Sequence, residues 1–467
     1  MDTTLKEIEQ ITRMVIQQLE KAPVQTGIHS VRPGIFSSMD EAVEAAYKAQ
    51  KEYFEYTLAD RQKFVEAIRT HLKTKVEEMA KRGAEETGMG NVPHKIIKNH
   101  LVLDKTPGVE DLQSGVFTGD RGLTLLEFAP FGVIGAITPS TNPTETIMCN
   151  SIGMLAAGNS VIFSPHPGAK NISIDTVVWI NEALKEAGAP DNLVVTVDKP
   201  SMEAVNRMMT HPLVTMLCAT GGPGVVKAVL SSGKKAIGAG AGNPPVVVDE
   251  TADIEKAAKD IVDGASFDNN LPCIAEKECI VVDQVADYLI FQMQKHGAYL
   301  IEDRETITKL RDLVVTETGA PNKAYIGKDA HVILKGIGID AGEDVRLIIC
   351  ETPGNHVFAE EELMMPVLPI IRVKDVYEAM DLGEKLEHGL RHTAMIHSKN
   401  IDILTEFARR IQTTIFVKNG PSYAGIGVGG EGYTTFTIAG PTGEGLTSAS
   451  SFTRKRRCVL VDGFAIR

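Results

Sequence analysis

One cysteine stands in a setting that suits covalent chemistry. Cys273 follows the polar turn Asn269–Pro272 and precedes a segment that predicts a helix. A thiolate near a helix N-terminus is stabilised by the helix dipole, which lowers the thiol pKa from its ordinary value of about 8.5. A lone cysteine is more often a small core residue, and that is the expectation for the other five: Cys149, Cys218, Cys279, Cys350 and Cys458.

A second polar segment, Thr138–Thr144, contains Asn142 and follows a predicted strand. Ligands of parallel sheets bind outside the carboxyl ends of the strands. A side-chain amide at such a place can donate a hydrogen bond to a developing oxyanion. Taken alone, the segment is more typical of a proline-rich turn with an asparagine cap.

Two glycine-rich segments are candidates for ligand contact. Thr220–Gly224 follows an apolar strand and opens a helix, an arrangement in which backbone N–H groups can meet a pyrophosphate. Its spacing is not that of the usual dinucleotide fingerprint, so by itself it favours a plain strand-to-helix turn. Gly238–Gly242 carries nothing larger than a methyl group, which lets another group approach the backbone, and its apolar flanks favour a buried position.

The elements that must position these residues alternate along the chain. Five apolar strand candidates lie at Phe131–Ile137, Ser160–Phe163, Leu193–Val197, Val214–Cys218 and Val246–Val248. Helical patterns lie between them near 144–157, 169–187, 201–209 and 223–232. This alternation predicts βαβ units and a parallel sheet, hence an α/β fold.

The flanking regions have other patterns. Residues 37–104 are rich in helix formers, chiefly over Ser38–Lys51 and Ala59–Thr87, and 108–130 is typical of a β-hairpin. A second α/β region is expected over about 250–430. The tail over 431–467 has strand patterns at Thr435–Thr437 and Cys458–Val461.

The N-terminal residues form a unit of their own. Residues 2–20 have apolar side chains at helical spacing and predict an amphipathic helix, and a linker without periodicity follows. The pattern alone fits equally well a first helix that folds back on the domain and a docking helix for a partner.

Composition excludes several classes of function. The net charge of −13 argues against nucleic acid or an anionic membrane as the main partner, and the basic run Arg454–Arg457 is interpreted as a solvated or inter-subunit cluster. No apolar run approaches the ~20 residues that span a membrane, and the polar N-terminus does not resemble a secretory signal. The six cysteines lack CxxC spacing, so neither a disulfide framework nor a metal site is expected, and a reducing cytosol fits.

These motifs together resemble the aldehyde dehydrogenase superfamily over roughly residue 35 to the end. The order of the segments matches that family for Cys273, Thr138–Pro143, Gly238–Gly242, Glu361–Val367 and Phe416–Gly420. Three further segments resemble its coenzyme-A-acylating branch from bacterial microcompartments for propanediol or ethanolamine breakdown: Ser164–Pro167, Gly425–Gly432 and Pro441–Gly445.

The resemblance implies an aldehyde dehydrogenase fold: a Rossmann-like cofactor domain, an α/β catalytic domain and a small β extension for oligomerisation. The implied division is a targeting helix over 1–22, a linker over 23–34, an NAD- and coenzyme-A-binding domain over 35–107 and 131–240, oligomerisation strands over 108–130 and 431–467, and a catalytic domain over 241–430. A homodimer or homotetramer is expected.

The resemblance also implies the chemistry. Cys273 is the covalent nucleophile, and Asn142 with the Cys273 backbone N–H holds the oxyanion. NAD serves as cofactor and coenzyme A as co-substrate, and Glu362 contacts the nicotinamide ribose. The implied cofactor-binding residues are Thr138, Pro139, Ser164, His166, Thr220, Gly221, Gly222, Gly240 and Glu362.

Two departures from hydrolytic family members bear on the acceptor. Those enzymes carry a glutamate base in the segment matching 238–241, which here holds only glycine and alanine, and a ribose-binding lysine where this chain has Ser164. A coenzyme A thiol ionises more readily than water and needs less help from a base. His166 is a candidate to replace the lysine in part. His392 is a candidate to assist coenzyme A, although a core or surface histidine is the preferred interpretation. Glu276 is a candidate base, although a helix-surface acid is the preferred interpretation.

The resemblance therefore implies oxidation of a short-chain aldehyde to its acyl-CoA. Propanal is preferred over acetaldehyde, and a hydrolytic enzyme making the free acid or a non-enzymatic shell-associated binding protein are the alternatives. By the same resemblance, the N-terminal helix docks on microcompartment shell proteins and locates the enzyme in the compartment lumen, within the cytoplasm.

Overall fold

The structure is a computed structural model that describes residues 30 and 32–466. The predicted helix over 2–20 lies outside these residues, as does most of the predicted linker. The strands in chain order are β1 Ile35–Phe36, β2 Gly115–Gly119, β3 Gly122–Pro130, β4 Val133–Thr138, β5 Ser160–Pro165, β6 Val194–Val197, β7 Val214–Thr220, β8 Lys235–Ala239, β9 Pro245–Val248, β10 Glu278–Val282, β11 Ala298–Ile301, β12 Leu347–Glu351, β13 Val367–Val373, β14 Thr393–His397, β15 Ile415–Lys418, β16 Ile438–Ala439, β17 Gly445–Leu446 and β18 Thr453–Val461.

The helices lie between these strands for most of the chain. They are α1 Met39–Tyr53, α2 Leu58–Lys73, α3 Val76–Thr87, α4 Val92–Lys105, α5 Pro143–Ala156, α6 Lys170–Ala187, α7 Met202–Thr210, α8 Pro223–Leu230, α9 Ile254–Ala265, α10 Asp283–Lys295, α11 Arg304–Val314, α12 Ala330–Gly336, α13 Val357–Glu360, α14 Val376–Leu386 and α15 Ile401–Ile411. In the described part of the chain, none has both the length and the apolar character needed to cross a bilayer.

The first sheet has six parallel strands in the order β1-β6-β5-β4-β7-β8. The strands predicted at Phe131–Ile137, Ser160–Phe163, Leu193–Val197 and Val214–Cys218 are confirmed as β4, β5, β6 and β7, whereas β8 was not predicted. From β4 the chain continues to β5, which pairs with one edge of β4. The later strand β7 pairs with the other edge of β4. The carboxyl ends of β4 and β7 therefore flank a topological switch point, where open parallel sheets bind ligands.

The second sheet has seven parallel strands in the order β11-β12-β13-β10-β9-β14-β15. Every residue of its β9 and β10 is buried, as expected for strands covered on both faces by helices. Residues 240–244 connect β8 of the first sheet to β9 of the second. The predicted α/β class with parallel sheets is confirmed.

A third, antiparallel sheet joins the predicted hairpin to the tail in the order β18-β3-β2. Its nine-residue strand β18 pairs with the whole of β3, from Thr453 beside Pro130 to Val461 beside Gly122. The basic run Arg454–Arg457 lies on β18 and is exposed.

Outside the loop that contains Cys273, two elements differ from the sequence prediction. The helix predicted over Ala59–Thr87 is two helices that break at Thr74, whose hydroxyl donates to the carbonyl of His71. The strand predicted at Thr435–Thr437 is absent, because the Thr437 N–H donates to the Thr435 hydroxyl. Such local side-chain bonds compete with a strand ladder.

Candidate functional site

A cleft of about 520 Å³ lies where the two large sheets meet. One wall comes from the carboxyl ends of β4, β5 and β7, and the other comes from segments that precede β9, β10 and β13 in the second sheet. The cleft brings together every site residue predicted from the sequence: Thr138, Pro139, Asn142, Ser164, His166, Thr220, Gly221, Gly222, Gly240, Cys273 and Glu362.

Cys273 lies in a loop and not at the start of a helix, so that prediction is wrong. The loop runs from a turn at Phe267–Asn270 to β10, which begins at Glu278. With no helix dipole behind the sulfur, burial dominates, and together with the Glu362 carboxylate it raises the Cys273 pKa to about 12. The expected lowering of the pKa is therefore also wrong for the protein without ligands.

Two cationic side chains oppose that rise in the Cys273 pKa, Lys277 and Lys98. The Lys277 ammonium is buried, donates to Oδ1 of Asn270 at 2.6 Å and lies 3.9 Å from the Glu362 carboxylate. Burial raises the pKa of Glu362, while Lys277 and the Gly242 N–H oppose this. The Glu362 side chain therefore lines the cleft with the Lys277 ammonium beside it.

Asn142 precedes α5 at the end of the loop that follows β4. Its Oδ1 accepts a hydrogen bond of 2.5 Å from the ammonium of Lys98, a fully buried residue of α4. Because the amide oxygen is occupied, the NH₂ group is the part of this side chain that is available as a donor to the cleft. Lys98 carries no local sequence signal of this role, since lysines on helices are nearly always exposed.

Several cleft residues leave room and hydrogen-bonding capacity for a ligand. A Cβ atom added at Gly221, Gly222 or Gly240 would meet no described atom within 4 Å. The hydroxyls of Thr138 and Ser164 are buried in the cleft wall and have no hydrogen-bond partner among the described residues. Buried polar groups are nearly always paired in native proteins, so these two fit a ligand that carries hydroxyl or phosphate groups.

His166 can replace the missing lysine only in hydrogen bonding and not in charge. Burial and the nearby Lys323 lower the pKa of His166, which disfavours the charged ring. Its Nδ1 accepts from the Gly168 N–H at 3.0 Å, which leaves the proton on Nε2. Lys323 is a cationic side chain of the cleft wall near His166, and its distance from His166 along the chain leaves no local sequence signal for this contact.

Glu276 and His392 do not line the cleft. Glu276 is a buried acid and not a helix-surface acid: it accepts from the N–H and the hydroxyl of Ser422 at 2.9 and 2.7 Å. Burial raises its pKa to about 7. His392 is a buried histidine, as preferred from the sequence, with Nδ1 2.9 Å from the Thr393 hydroxyl and a pKa that burial lowers to about 4.

Comparison with known proteins agrees with this geometry. The aldehyde dehydrogenase family matches residues 16–437. A CoA-propanoylating propanal dehydrogenase of Salmonella typhimurium is 51% identical over 462 residues, which cover 99% of each chain. The crystal structure of Rhodopseudomonas palustris propionaldehyde dehydrogenase with bound propionyl-CoA is 61% identical, with a TM-score of 0.92 over 93% of this chain and 96% of that chain.

A third relative comes from a microcompartment. The propionaldehyde dehydrogenase of the Clostridium phytofermentans fucose utilisation bacterial microcompartment is 54% identical, with a TM-score of 0.92 over 93% of this chain and 100% of that chain. These matches extend over nearly the full length of each protein and confirm the resemblance to the coenzyme-A-acylating branch. The chain belongs to the aldehyde dehydrogenase family.

Proposed function

We propose that this protein oxidises a short-chain aldehyde to its acyl-CoA, with NAD+ and coenzyme A, through a thioester on Cys273. The observation that carries the proposal is that Cys273, Asn142 and the open glycines Gly221, Gly222 and Gly240 line one cleft. That cleft combines a nucleophile, a neutral donor for an oxyanion and space for a long ligand.

In the first half-reaction, the Cys273 thiol gives its proton to solvent and the resulting thiolate adds to the carbonyl carbon. A C–S bond forms, and the carbonyl π electrons move to the oxygen, which the Asn142 NH₂ group stabilises with a hydrogen bond. A donor of this kind contributes about 2.7–4 kcal/mol to lowering the barrier. When bound, NAD+ would supply the acceptor for the hydride that leaves this carbon as the C=O bond re-forms.

The residues that hold the cofactor are those with unused polar groups. The hydroxyls of Thr138 and Ser164 and the N–H groups of the Thr220–Gly222 turn are suited to the phosphate and ribose oxygens. Glu362, whose carboxylate faces the cleft, is suited to the nicotinamide ribose hydroxyls.

In the second half-reaction, the coenzyme A thiolate adds to the thioester carbonyl and Cys273 leaves as the thiolate. One thioester replaces another, so the step has little net free energy. Gly240 and Ala241 occupy the segment where hydrolytic relatives carry a base, and both line the cleft. A segment with no carboxylate favours a thiol acceptor over water.

Propanal is the proposed main substrate, because the three relatives described above are propanal or propionaldehyde dehydrogenases. The microcompartment relative supports the same location for this enzyme, with residues 1–22 as the docking segment for shell proteins. The exposed strand β18 and the hairpin of β2 and β3 are proposed as oligomerisation strands of a homodimer or homotetramer.

The experiment that tests the proposal measures NADH formation from propanal and from acetaldehyde, with and without coenzyme A. The native chain should need coenzyme A for sustained turnover and should make propanoyl-CoA, whereas Cys273→Ser should make neither product. Sustained NADH formation without coenzyme A, with release of the free acid, would instead support the hydrolytic alternative. Absence of turnover under all conditions would support a binding protein.

A further inference from the structure

A buried cluster of four charged residues lies behind the cleft. Lys95 and Lys98 of α4 meet Glu145 of α5 and Asp268 of the turn before Cys273, and no side chain among them is more than 5% exposed. The Lys98 ammonium lies 2.6 Å from Asp268 and 2.9 Å from Glu145, and Lys95 lies 3.1 Å from Asp268. We call these four residues the lysine–carboxylate cluster.

The cluster is balanced in charge, which explains how it can be buried. Removing ions from water costs several kcal/mol each unless they are paired and hydrogen-bonded. Burial alone would lower the Lys98 pKa, but Asp268 and Glu145 outweigh it and hold that pKa above the ordinary value. With Asp268 and Glu145 as its ion-pair partners, the Lys98 ammonium directs its third donor to Oδ1 of Asn142.

That third hydrogen bond fixes the orientation of the Asn142 amide. An ammonium can only donate, so of the two ends of the amide only the oxygen can face it at 2.5 Å. The NH₂ end is then directed away from Lys98, where its other contact is a long bond of 3.3 Å to the Thr141 hydroxyl. Because that contact is weak, the amide would be free to turn over if Lys98 were absent.

Lys98 is itself held in place by Asp268, which lies in the turn before the Cys273 loop. Asp268 accepts from the Asn91 N–H at 2.7 Å in addition to both lysines. It begins a run of three residues, Asp268–Asn270, in the left-handed region, with φ of 47°, 56° and 64°. This turn leads directly into the Cys273 loop, so one cluster connects the amide donor to the segment that carries the nucleophile.

We propose that Lys98 is a positioning residue for the aldehyde oxidation: it holds the Asn142 amide with its NH₂ group toward the reacting oxygen. The inference rests on the proposed function, since it gives the Asn142 amide the task of binding the oxyanion. Lys98 does not touch the substrate and acts through Asn142. Lys95 carries the same charge in the same cluster but has no contact with Asn142 among the described side-chain bonds, so it is the matched control.

A double-mutant cycle tests this role. Asn142→Ala should lower kcat for NADH formation by about 10²–10³-fold, as loss of an oxyanion donor does. Lys98→Met should lower kcat by about 10–100-fold with little change in KM for the aldehyde, and Lys95→Met should lower it far less. In the Asn142→Ala background, Lys98→Met should cost almost nothing more, because its effect passes through the amide that is already absent.

Equal losses from Lys98→Met with and without Asn142 would overturn the inference, since a structural role would be additive. Lys98→Met leaves two carboxylates facing one lysine and can fail to fold, so the charge-balanced pair Lys98→Met/Glu145→Gln is run through the same cycle against Glu145→Gln. If the proposed function were wrong, the native chain would form no propanoyl-CoA from propanal, NAD+ and coenzyme A. If the native chain is active but the effects of Lys98→Met and Asn142→Ala are additive, only the positioning role of Lys98 is contradicted.

Discussion

The amide oxygen of Asn142 lies 2.5 Å from the ammonium of Lys98, so a residue on the cleft wall is oriented by a charge buried behind it. The ammonium in turn contacts Asp268, which begins the turn that leads to Cys273. One connected set of polar contacts therefore links Asn142, the proposed donor, to the segment that carries Cys273, the proposed nucleophile. The two residues lie in loops next to different sheets.

Replacing the donor is the first prediction. Asn142→Ala should reduce kcat/KM for propanal by about 10²–10³-fold, because the thiohemiacetal oxygen loses a hydrogen bond that the ground-state carbonyl needs less. Steady-state NADH formation measures this. Ser140→Ala, in the same loop and also on the cleft wall, is the control and should stay within a few-fold of the native rate. Equal losses for the two variants would remove Asn142 from its proposed role.

The second prediction concerns the reactivity of the nucleophile without ligands. Because burial and Glu362 raise the Cys273 pKa to about 12, the thiolate fraction is small at neutral pH. The rate of alkylation by iodoacetamide should rise about tenfold per pH unit between about pH 7 and 9, without a plateau. Peptide mass spectrometry follows the reaction in a Cys458→Ser background, because Cys458 is the exposed cysteine of the described chain. A plateau below about pH 8 would show a lowered pKa instead.

Much of the fold could be predicted from the sequence because the hydrophobic patterns of its strands and helices are local. The strands that end at Thr138 and Thr220 are apolar runs bounded by turns, and helical segments separate them, so a parallel sheet with its ligand edge there was predictable. The resemblance supplied the remaining site residues, and the cleft contains all of them.

The errors arose where distant contacts decide the structure. Ala275-Glu276-Lys277 has helix-forming residues, but the distant Ser422 binds the Glu276 carboxyl group. Together with the local contact between Asn270 and the Lys277 ammonium, this holds an irregular loop after Cys273. The burial of Lys98 and its contact with Asn142 could not be predicted for the same reason. Its burial depends on Asp268, which lies far along the chain, and spacing within α4 carries no sign of that partner.

The third prediction separates a structural acid from a catalytic base. Glu276→Gln should retain most of the activity, because Glu276 lies outside the cleft and is bound to Ser422. The folded protein holds a proton on Glu276 up to about pH 7, whereas the unfolded chain releases it at the ordinary lower value. This group's contribution to stability therefore falls as pH rises through that window, by up to the order of 3 kcal/mol.

Glutamine stays neutral at every pH, so the Tm of Glu276→Gln relative to the native protein should increase from pH 5 to pH 8. Differential scanning calorimetry at matched ionic strength measures this difference, and the same replacement at the exposed Glu317 is the control. A difference that stays constant with pH would mean that Glu276 is charged in the folded state. Loss of turnover at unchanged stability would assign it a part in catalysis.

The fourth prediction addresses the N-terminal segment. Deleting residues 1–22 should leave kcat and KM near their native values, because the cleft is lined by residues from Ile137 onward. The same deletion should abolish co-purification with microcompartment shells from cells that make both. Loss of activity in the purified deletion variant would show instead that the segment belongs to the folded enzyme.

The most direct test of the account is to trap the acyl group on the nucleophile. The enzyme is mixed with propanal and NAD+ in the absence of coenzyme A, quenched in acid and digested, and the peptide that contains Cys273 is analysed by mass spectrometry. The account predicts a propanoyl thioester on Cys273 that forms with one equivalent of NADH and disappears, with formation of propanoyl-CoA, when coenzyme A is added. No adduct on Cys273, or an adduct that water removes as fast as coenzyme A does, would contradict it.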